Sequence, residues 1–368
     1  MQELEYGRLV QVLREGRETK TPVLLPDFFL DHFVIAEDFA SFDAQLERLA
    51  NRGGGNLTGT SQFIRRGGNS VNTASALLSL GAHPVLIVKT DPQGSRLLRE
   101  MTPPELDLSH VNTNGTLSST VSLELDHRGR RVNLMVSDSG SAADYAFSDL
   151  QDADKEAMRY SGLVGLLCLN HNLEAPILAY DVFSFVRNES DAMTFMDMGD
   201  PSSNPGIVKP LATDVLANGL VDILGANENE ICWLASVLSD DKKWMNAVNE
   251  PDDWLDAAKL VSQMTGARID MHTPYFAATV EDDSTTGIPV FDVENRVICG
   301  AGDAWNAGDI YGTLLNLESS LRLVLANAVA ALYVSSSDAS HPFPRDLIDF
   351  LESNPPVSEH GNKLLMRS

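Results

Sequence analysis

The sequence predicts an α/β protein with a mostly parallel central sheet, helices on its faces and a small β lid. Three observations carry that reading. Short apolar runs of strand length alternate with helix-periodic stretches from residue 22 to about residue 351. Two period-two segments, 118–126 and 130–137, interrupt the alternation around His127-Arg128-Gly129 and read as a hairpin. Near the end, Cys299-Gly300-Ala301-Gly302-Asp303 runs from a Gly-rich turn straight into a helix-compatible stretch.

Residues 1–17 form a polar amphipathic segment, taken as a peripheral helical extension over 1–21. Val23, Leu24 and Leu25 begin the first buried strand. A helix is expected over 37–52, where Phe39, Phe42, Leu46 and Leu49 share one face. The next, over 69–80, is rich in Ala and Leu, capped by Asn69 or Ser70 and closed by Gly81. A strand over 84–89 and a helix over 93–101 follow. The hairpin, taken as a lid inserted at about 116–138, carries Thr120, Val121, Leu123, Leu125, Val132, Leu134 and Val136. A hairpin cannot bury both faces alone, so the main domain or a second lid must cover one, and a homodimer is expected. Strands at 163–169, 193–197 and 222–224 then alternate with helices at 175–187 and 206–218. A helix at 252–265, a strand at 268–273 and helices at 302–317, 319–335 and 345–351 complete a domain spanning 22–353. The polar stretch 354–368 reads as a loose tail.

The 368 residues, 43% of them hydrophobic, are ample for one large α/β domain. A net charge of −25 repels a polyanion and argues against nucleic acid as a partner. Only eight of the 27 basic residues are lysine, against 52 acids; a high-salt cytoplasm and an ordinary acidic enzyme both fit. Cys168, Cys232 and Cys299 fit neither a disulfide framework nor a metal cluster, and the eight histidines lack zinc-type spacing. No apolar run approaches the length of a membrane span, and the acidic start lacks the layout of a signal peptide; the expected location is cytoplasmic.

The Gly300 turn carries the chemistry. Glycines let the backbone approach a ligand, and the first amides of the following helix have no intrahelical partners and attract an anion. Asp303 adds a carboxylate beside that anion site. It is either an ordinary capping residue or a base that takes a proton from a hydroxyl attacking phosphorus.

Other blocks occur in a fixed order with this one. Gly67-Gly68-Asn69-Ser70-Val71-Asn72-Thr73-Ala74 precedes Leu80-Gly81, then come Lys89-Thr90-Asp91-Pro92-Gln93-Gly94 and Asn227-Glu228-Asn229-Glu230, and finally Gly300-Ala301-Gly302-Asp303 with Ala304-Trp305-Asn306-Ala307-Gly308. The ordered set, spanning about 22–335, resembles the PfkB-type carbohydrate kinases, the ribokinase-like family. The resemblance implies a kinase that moves the terminal phosphoryl of ATP, with Mg²⁺, to a primary hydroxyl of a sugar or nucleoside. It assigns Asp303 as base, Gly300, Ala301 and Gly302 to the anion hole, and Asp31, Gly67, Gly68, Asn72 and Asn170 to the acceptor. Asp27 competes with Asp31 for its role. Asn227, Glu230, Thr273 and Asn327 fall on the nucleotide side, with Glu230 acting on Mg²⁺ through water. Arg65 and Arg66, like Arg130 and Arg131, could meet an anionic substrate or lie solvated.

The chain departs from that family at four places. Lys89 replaces a glycine. Pro274-Tyr275-Phe276-Ala277 stands where a glycine turn meets the nucleotide. Val297-Ile298-Cys299 occupies positions that often bind a monovalent cation, and Asn170 stands where several sugar kinases have an acid. An ADP-dependent sugar kinase and a non-catalytic sugar or nucleoside sensor are the alternative readings.

Overall fold

The computed structural model describes residues 6–282, 284–297 and 299–366, with only the backbone of Arg130 and Arg131. The part of the N-terminal helix expected at 1–5, and Ile298, lie outside the described residues.

The central sheet is built on β1 (Pro22–Leu25), β4 (Val85–Leu86), β9 (Leu163–Leu166), β10 (Met193–Met196), β11 (Ile223–Asn227), β12 (Arg268–His272), β13 (Phe276–Glu281) and β14 (Ser284–Pro289). Their spatial order is β14-β13-β12-β11-β10-β9-β1-β4. Pairing is parallel from β4 to β12 and antiparallel only across β12–β13–β14. The inner strands are short apolar runs buried on both faces, as a sheet covered by helices on each side requires. Two apolar clusters, one on each side of the sheet, form the core.

The lid is larger than the hairpin read from the sequence. β2 (Phe29–Asp38), β3 (Ser61–Gly67), β7 (Ser118–His127) and β8 (Arg130–Asp138) make a second sheet in the order β3-β2-β7-β8. The chain leaves β1 and enters the lid at once through β2, where Phe29, Asp31, Phe33 and Ile35 alternate with the other face. The remaining short strands, β5 (Val88–Lys89) and β6 (Val111–Asn112), pair with each other.

Other expectations change in detail. The helix Phe39–Asn51, capped by Asp38, buries none of its residues; it lies along the lid, with Phe39 edge-on to His127. Its apolar period identified a helix but not a core element. The helix Tyr6–Glu15 is not peripheral: Leu9, Val10, Val12 and Leu13 are buried in the core cluster that also holds Leu347 and Leu351 of Pro344–Glu352. The stretch expected as a helix at 206–218 divides into short irregular turns ending in a π-helix, Leu211–Leu216. The tail is not loose. The helix Glu359–Leu365 buries Leu364, the Ser358 amide donates to the Val290 carbonyl (2.8 Å), and Gly361 lies against the Tyr275 carbonyl.

Candidate active site

A cleft of about 1010 Å³ opens between the lid and the carboxyl ends of β1, β9, β10 and β11. Two helix N-termini form its floor, as expected where an open parallel sheet binds ligands.

The first is that of Ala301–Leu314. Gly300 precedes it with φ +88, a left-handed conformation natural to glycine. A Cβ there would lie 2.4 Å from the Tyr333 hydroxyl. The first helical bond of this end runs from the Ala304 amide to the Gly300 carbonyl (3.0 Å), so the amides of Ala301, Gly302 and Asp303 precede the helical ladder. Asp303 lines the cleft and is only 6% exposed. Asn72 Nδ2 donates to its Oδ2 at 2.9 Å, so two signatures 231 residues apart meet in one hydrogen bond. Burial pushes the Asp303 carboxyl up to about 8; Asp197, Asp27 and Asp31 push the same way, and the bond from Asn72 opposes them. Behind Gly302 lies His272, held neutral by burial and packed against Trp305.

The second N-terminus is that of Asn69–Ser79. Gly68, at φ +95, offers no side chain to cap it. Asp27 does so from outside the helix, accepting from the amides of Asn69 (2.8 Å) and Ser70 (2.9 Å) and from the Ser70 hydroxyl (2.5 Å). Asp31 accepts no hydrogen bond among the described residues. Burial first, and then Asp27, raise it to about 6. Its carboxylate lies over Gly67, where a Cβ would come within 2.2 Å. Of the two competing acids, Asp27 is committed to the helix end and Asp31 is open to a ligand.

The lid supplies Asp31, Thr120, Asn133 and Ser137 as the roof. Asn133 accepts from the Ser122 hydroxyl (2.8 Å), and Thr120 and Ser137 are hydrogen bonded to each other (2.9 Å). On the far wall Asn170 donates to the Asp200 carbonyl (3.1 Å) and the Ser203 hydroxyl (3.2 Å). Among the described residues no Lys or Arg lines the cleft, so its polar surface is hydroxyl, amide and carboxylate, with His171.

Asn227 lines the cleft, but Glu230 stands behind it. The pair forms a capping box: Asn227 Nδ2 donates to Glu230 Oε1 (2.8 Å) and the Asn227 amide to Oε2 (3.0 Å). Burial, followed by Asp197, holds the Glu230 carboxyl well above the usual carboxylate range. Among the described residues no group of three or more His, Cys, Asp or Glu is placed to hold a metal ion. Asp200 and Asn227, which line the cleft, offer oxygen donors suited to a Mg²⁺ that phosphates and water would otherwise ligate. Asp197, Asp200 and Glu228, which raise Glu230 by like charge, also give such a cation a favourable field.

Two residues expected on the nucleotide side are hydrogen bonded within the protein. The Thr273 hydroxyl donates to the Phe276 carbonyl (2.7 Å) and accepts from the Tyr275 and Phe276 amides, fixing the β12–β13 turn. Asn327, 3% exposed, accepts from Trp305 Nε1 (2.9 Å) and donates to the Pro289 carbonyl (3.2 Å). Tyr275 stacks on Trp254 and meets His360 edge-on, which fills its faces with protein.

Sequence reading missed Asp197, which accepts from Asn306 Nδ2 (2.6 Å) beneath the site. Its signal was an acid directly after an apolar strand. Thr120, named in the lid, does line the cleft; Asn69, Asn133, Ser137, Ser139, His171 and Asp200 were also missed, and for the lid residues the signal was a polar position on one face of each strand. Among the described residues no helix is long and apolar enough to cross a membrane.

Comparison with known proteins agrees with this architecture. The fold matches ribokinase from Arabidopsis thaliana, determined with ribose and ATP, at a TM-score of 0.68 and 15% identity, covering 91% of this chain and 99% of that one. Adenosine kinase from Sinorhizobium meliloti matches at 0.66 and 15%, covering 92% and 100%. Ribokinase from Cryptococcus neoformans, determined with ADP, matches at 0.65 and 14%, covering 90% and 100%. No curated protein matches by sequence at significance. The profile of the pfkB family of carbohydrate kinases matches residues 34–346. The chain therefore belongs to the pfkB carbohydrate kinase family, phosphotransferases whose acceptor is an alcohol group.

Proposed function

We propose that this protein transfers the terminal phosphoryl of a nucleotide to a primary hydroxyl of a sugar or nucleoside, with Asp303 as base. One observation carries the reading: the Asp303 carboxylate lies in the cleft beside the unpaired amides that open its helix. The acceptor oxygen attacks phosphorus while its proton passes to Asp303, and the bond from phosphorus to the bridging oxygen breaks, releasing the nucleotide one phosphate shorter. The amides of Ala301, Gly302 and Asp303 receive the charge on the transferred group. Asp31, Gly68, Asn72 and Asn170 hold the acceptor; a carboxylate such as Asp31 suits two neighbouring hydroxyls. Mg²⁺ would lie near Asn227, Glu230 and Asp200, and when bound it neutralises phosphate charge.

The exposed lid face supports a homodimer. Ile64, His32, Val121 and Val136 lie in register across its four strands, with Leu134 close by, and Ile64, Val121, Leu134 and Val136 are solvent-exposed. Such a stripe fits a second copy of the same lid.

The donor follows from experiment. A panel of ATP, GTP and ADP against ribose, fructose, phosphosugars and nucleosides, at several salt concentrations, tests the reading; phosphate transfer to none of them would refute it. A non-catalytic sensor is the second reading, favoured by one observation, that Thr273 and Asn327 are committed to packing. Calorimetry with nucleotide and Mg²⁺ separates the two, since the sensor binds no nucleotide.

A further inference from the structure

Arg66 is a guanidinium grouped with Tyr333 and His341 behind the Gly300 turn, without a carboxylate of its own. β3 places it next to Gly67. Its Nη1 donates to the carbonyl of Met101 (2.9 Å), the last residue of the helix Pro92–Met101, where the helix dipole favours a cation. Its Nε is buried with no partner among the described residues. Among the described residues, Arg268 and Arg322 are the arginines held in buried ion pairs with carboxylates. The Tyr333 hydroxyl donates to the Cys299 carbonyl (2.8 Å) and fills the space a side chain on Gly300 would need. His341 stacks on Tyr333 with ring centroids 5.0 Å apart, and its Nδ1 is likewise buried and unpartnered. Arg66 interacts electrostatically with Tyr333, His341 and Asp303.

We propose that Arg66 is a positioning residue for phosphoryl transfer: with Tyr333 it backs the Gly300 turn, and its fixed charge offsets the carboxylates crowded around Asp303. The inference rests on the reading of Asp303 as base. Around Asp303 stand Asp27 after β1, Asp31 in the lid and Asp197 after β10, with Cys168, Cys299 and Tyr333 held neutral by burial. His171 and His341 are pushed toward their neutral forms by burial. Arg65 lies over the rings of Phe63 and Phe33 and also acts electrostatically on Tyr333 and Cys299. A buried charge without a counter-charge is costly unless something complements it. The anion drawn to the amides of Ala301, Gly302 and Asp303 is that complement.

The test is the pH profile of kcat/KM for the acceptor, which reports the free enzyme. R66Q keeps a donor for Met101 but removes the charge. Its acidic limb should move up by about one pH unit, with activity at neutral pH about tenfold lower. R66K keeps the charge and should leave the limb in place. Y333F keeps the charge and loses the bond to Cys299, so kcat should fall with no shift of the limb. A limb at its original pH in folded R66Q, or an equal shift in R66Q and R66K, overturns the proposal. So does a Y333F variant with unchanged kcat. If R66Q does not fold, R66K decides alone, because a limb that moves with the charge retained contradicts the argument. Should the unsubstituted protein show no limb that D303N abolishes, the base reading fails rather than this one.

Discussion

Replacing Asp303 with Asn should make the ligand-free protein more stable, and by an amount that grows with pH. Burial raises this carboxyl to about 8 from the ordinary aspartate value of 3.8. Between those two values the folded chain keeps a proton that the unfolded chain has released. Unfolding therefore releases a proton, and stability falls as pH rises through that window. At about 1.4 kcal/mol per pH unit the interval sets a ceiling of about 6 kcal/mol; relaxation and water entry reduce the expected effect to about 2–4 kcal/mol near pH 8. Asn is nearly isosteric, and its carbonyl can still accept from Asn72. Urea denaturation of both proteins, without ligands, across a pH series from about 4 to about 8 measures the gap. It should be near zero at the acid end and open steadily toward the alkaline end. A gap independent of pH, or D303N the less stable protein at pH 8, would refute the argument that the acid is strained by its surroundings.

Three further outcomes follow from the packing and surface of the chain. Arg322 donates to Asp309 (2.8 Å) and Asp270 (2.9 Å), all three buried, so R322M should cost about 3–5 kcal/mol in denaturant unfolding, and R322M/D309L less than R322M alone. G300A forces an L-residue to φ +88 against the Tyr333 hydroxyl; kcat should drop at least tenfold while acceptor binding by calorimetry changes little. V136E places a charge on the exposed stripe of the lid and should halve the mass measured by sedimentation if that face joins two copies.

How much was legible depended on whether a residue's partners were local. The parallel sheet follows from short apolar runs separated by helical periods, and the place of Asp303 in the cleft at a helix start was legible because glycine, free amides and an acid are adjacent in sequence. The lid was underestimated because β2 places polar Asp31 and His32 among apolar residues, and its pairing partners lie in β3 and β7. Asn327 and Thr273 look like ligand-binding types in isolation. Only the tertiary structure reveals that Trp305, Pro289 and Phe276 already use their hydrogen bonds. Glu230 was correctly grouped with Asn227, but the spacing of three that marks a phosphate-site motif also marks a capping box, and local sequence cannot separate them. The tail was misjudged because its polar composition hides Leu364 and the closely packed Gly361.

The role of Asp303 as base is tested by the turnover of D303N with an acceptor that the unsubstituted protein phosphorylates. The expected loss is about a thousandfold in kcat, with acceptor affinity by calorimetry held within about threefold. Turnover near that of the unsubstituted protein, in a folded variant, would contradict it.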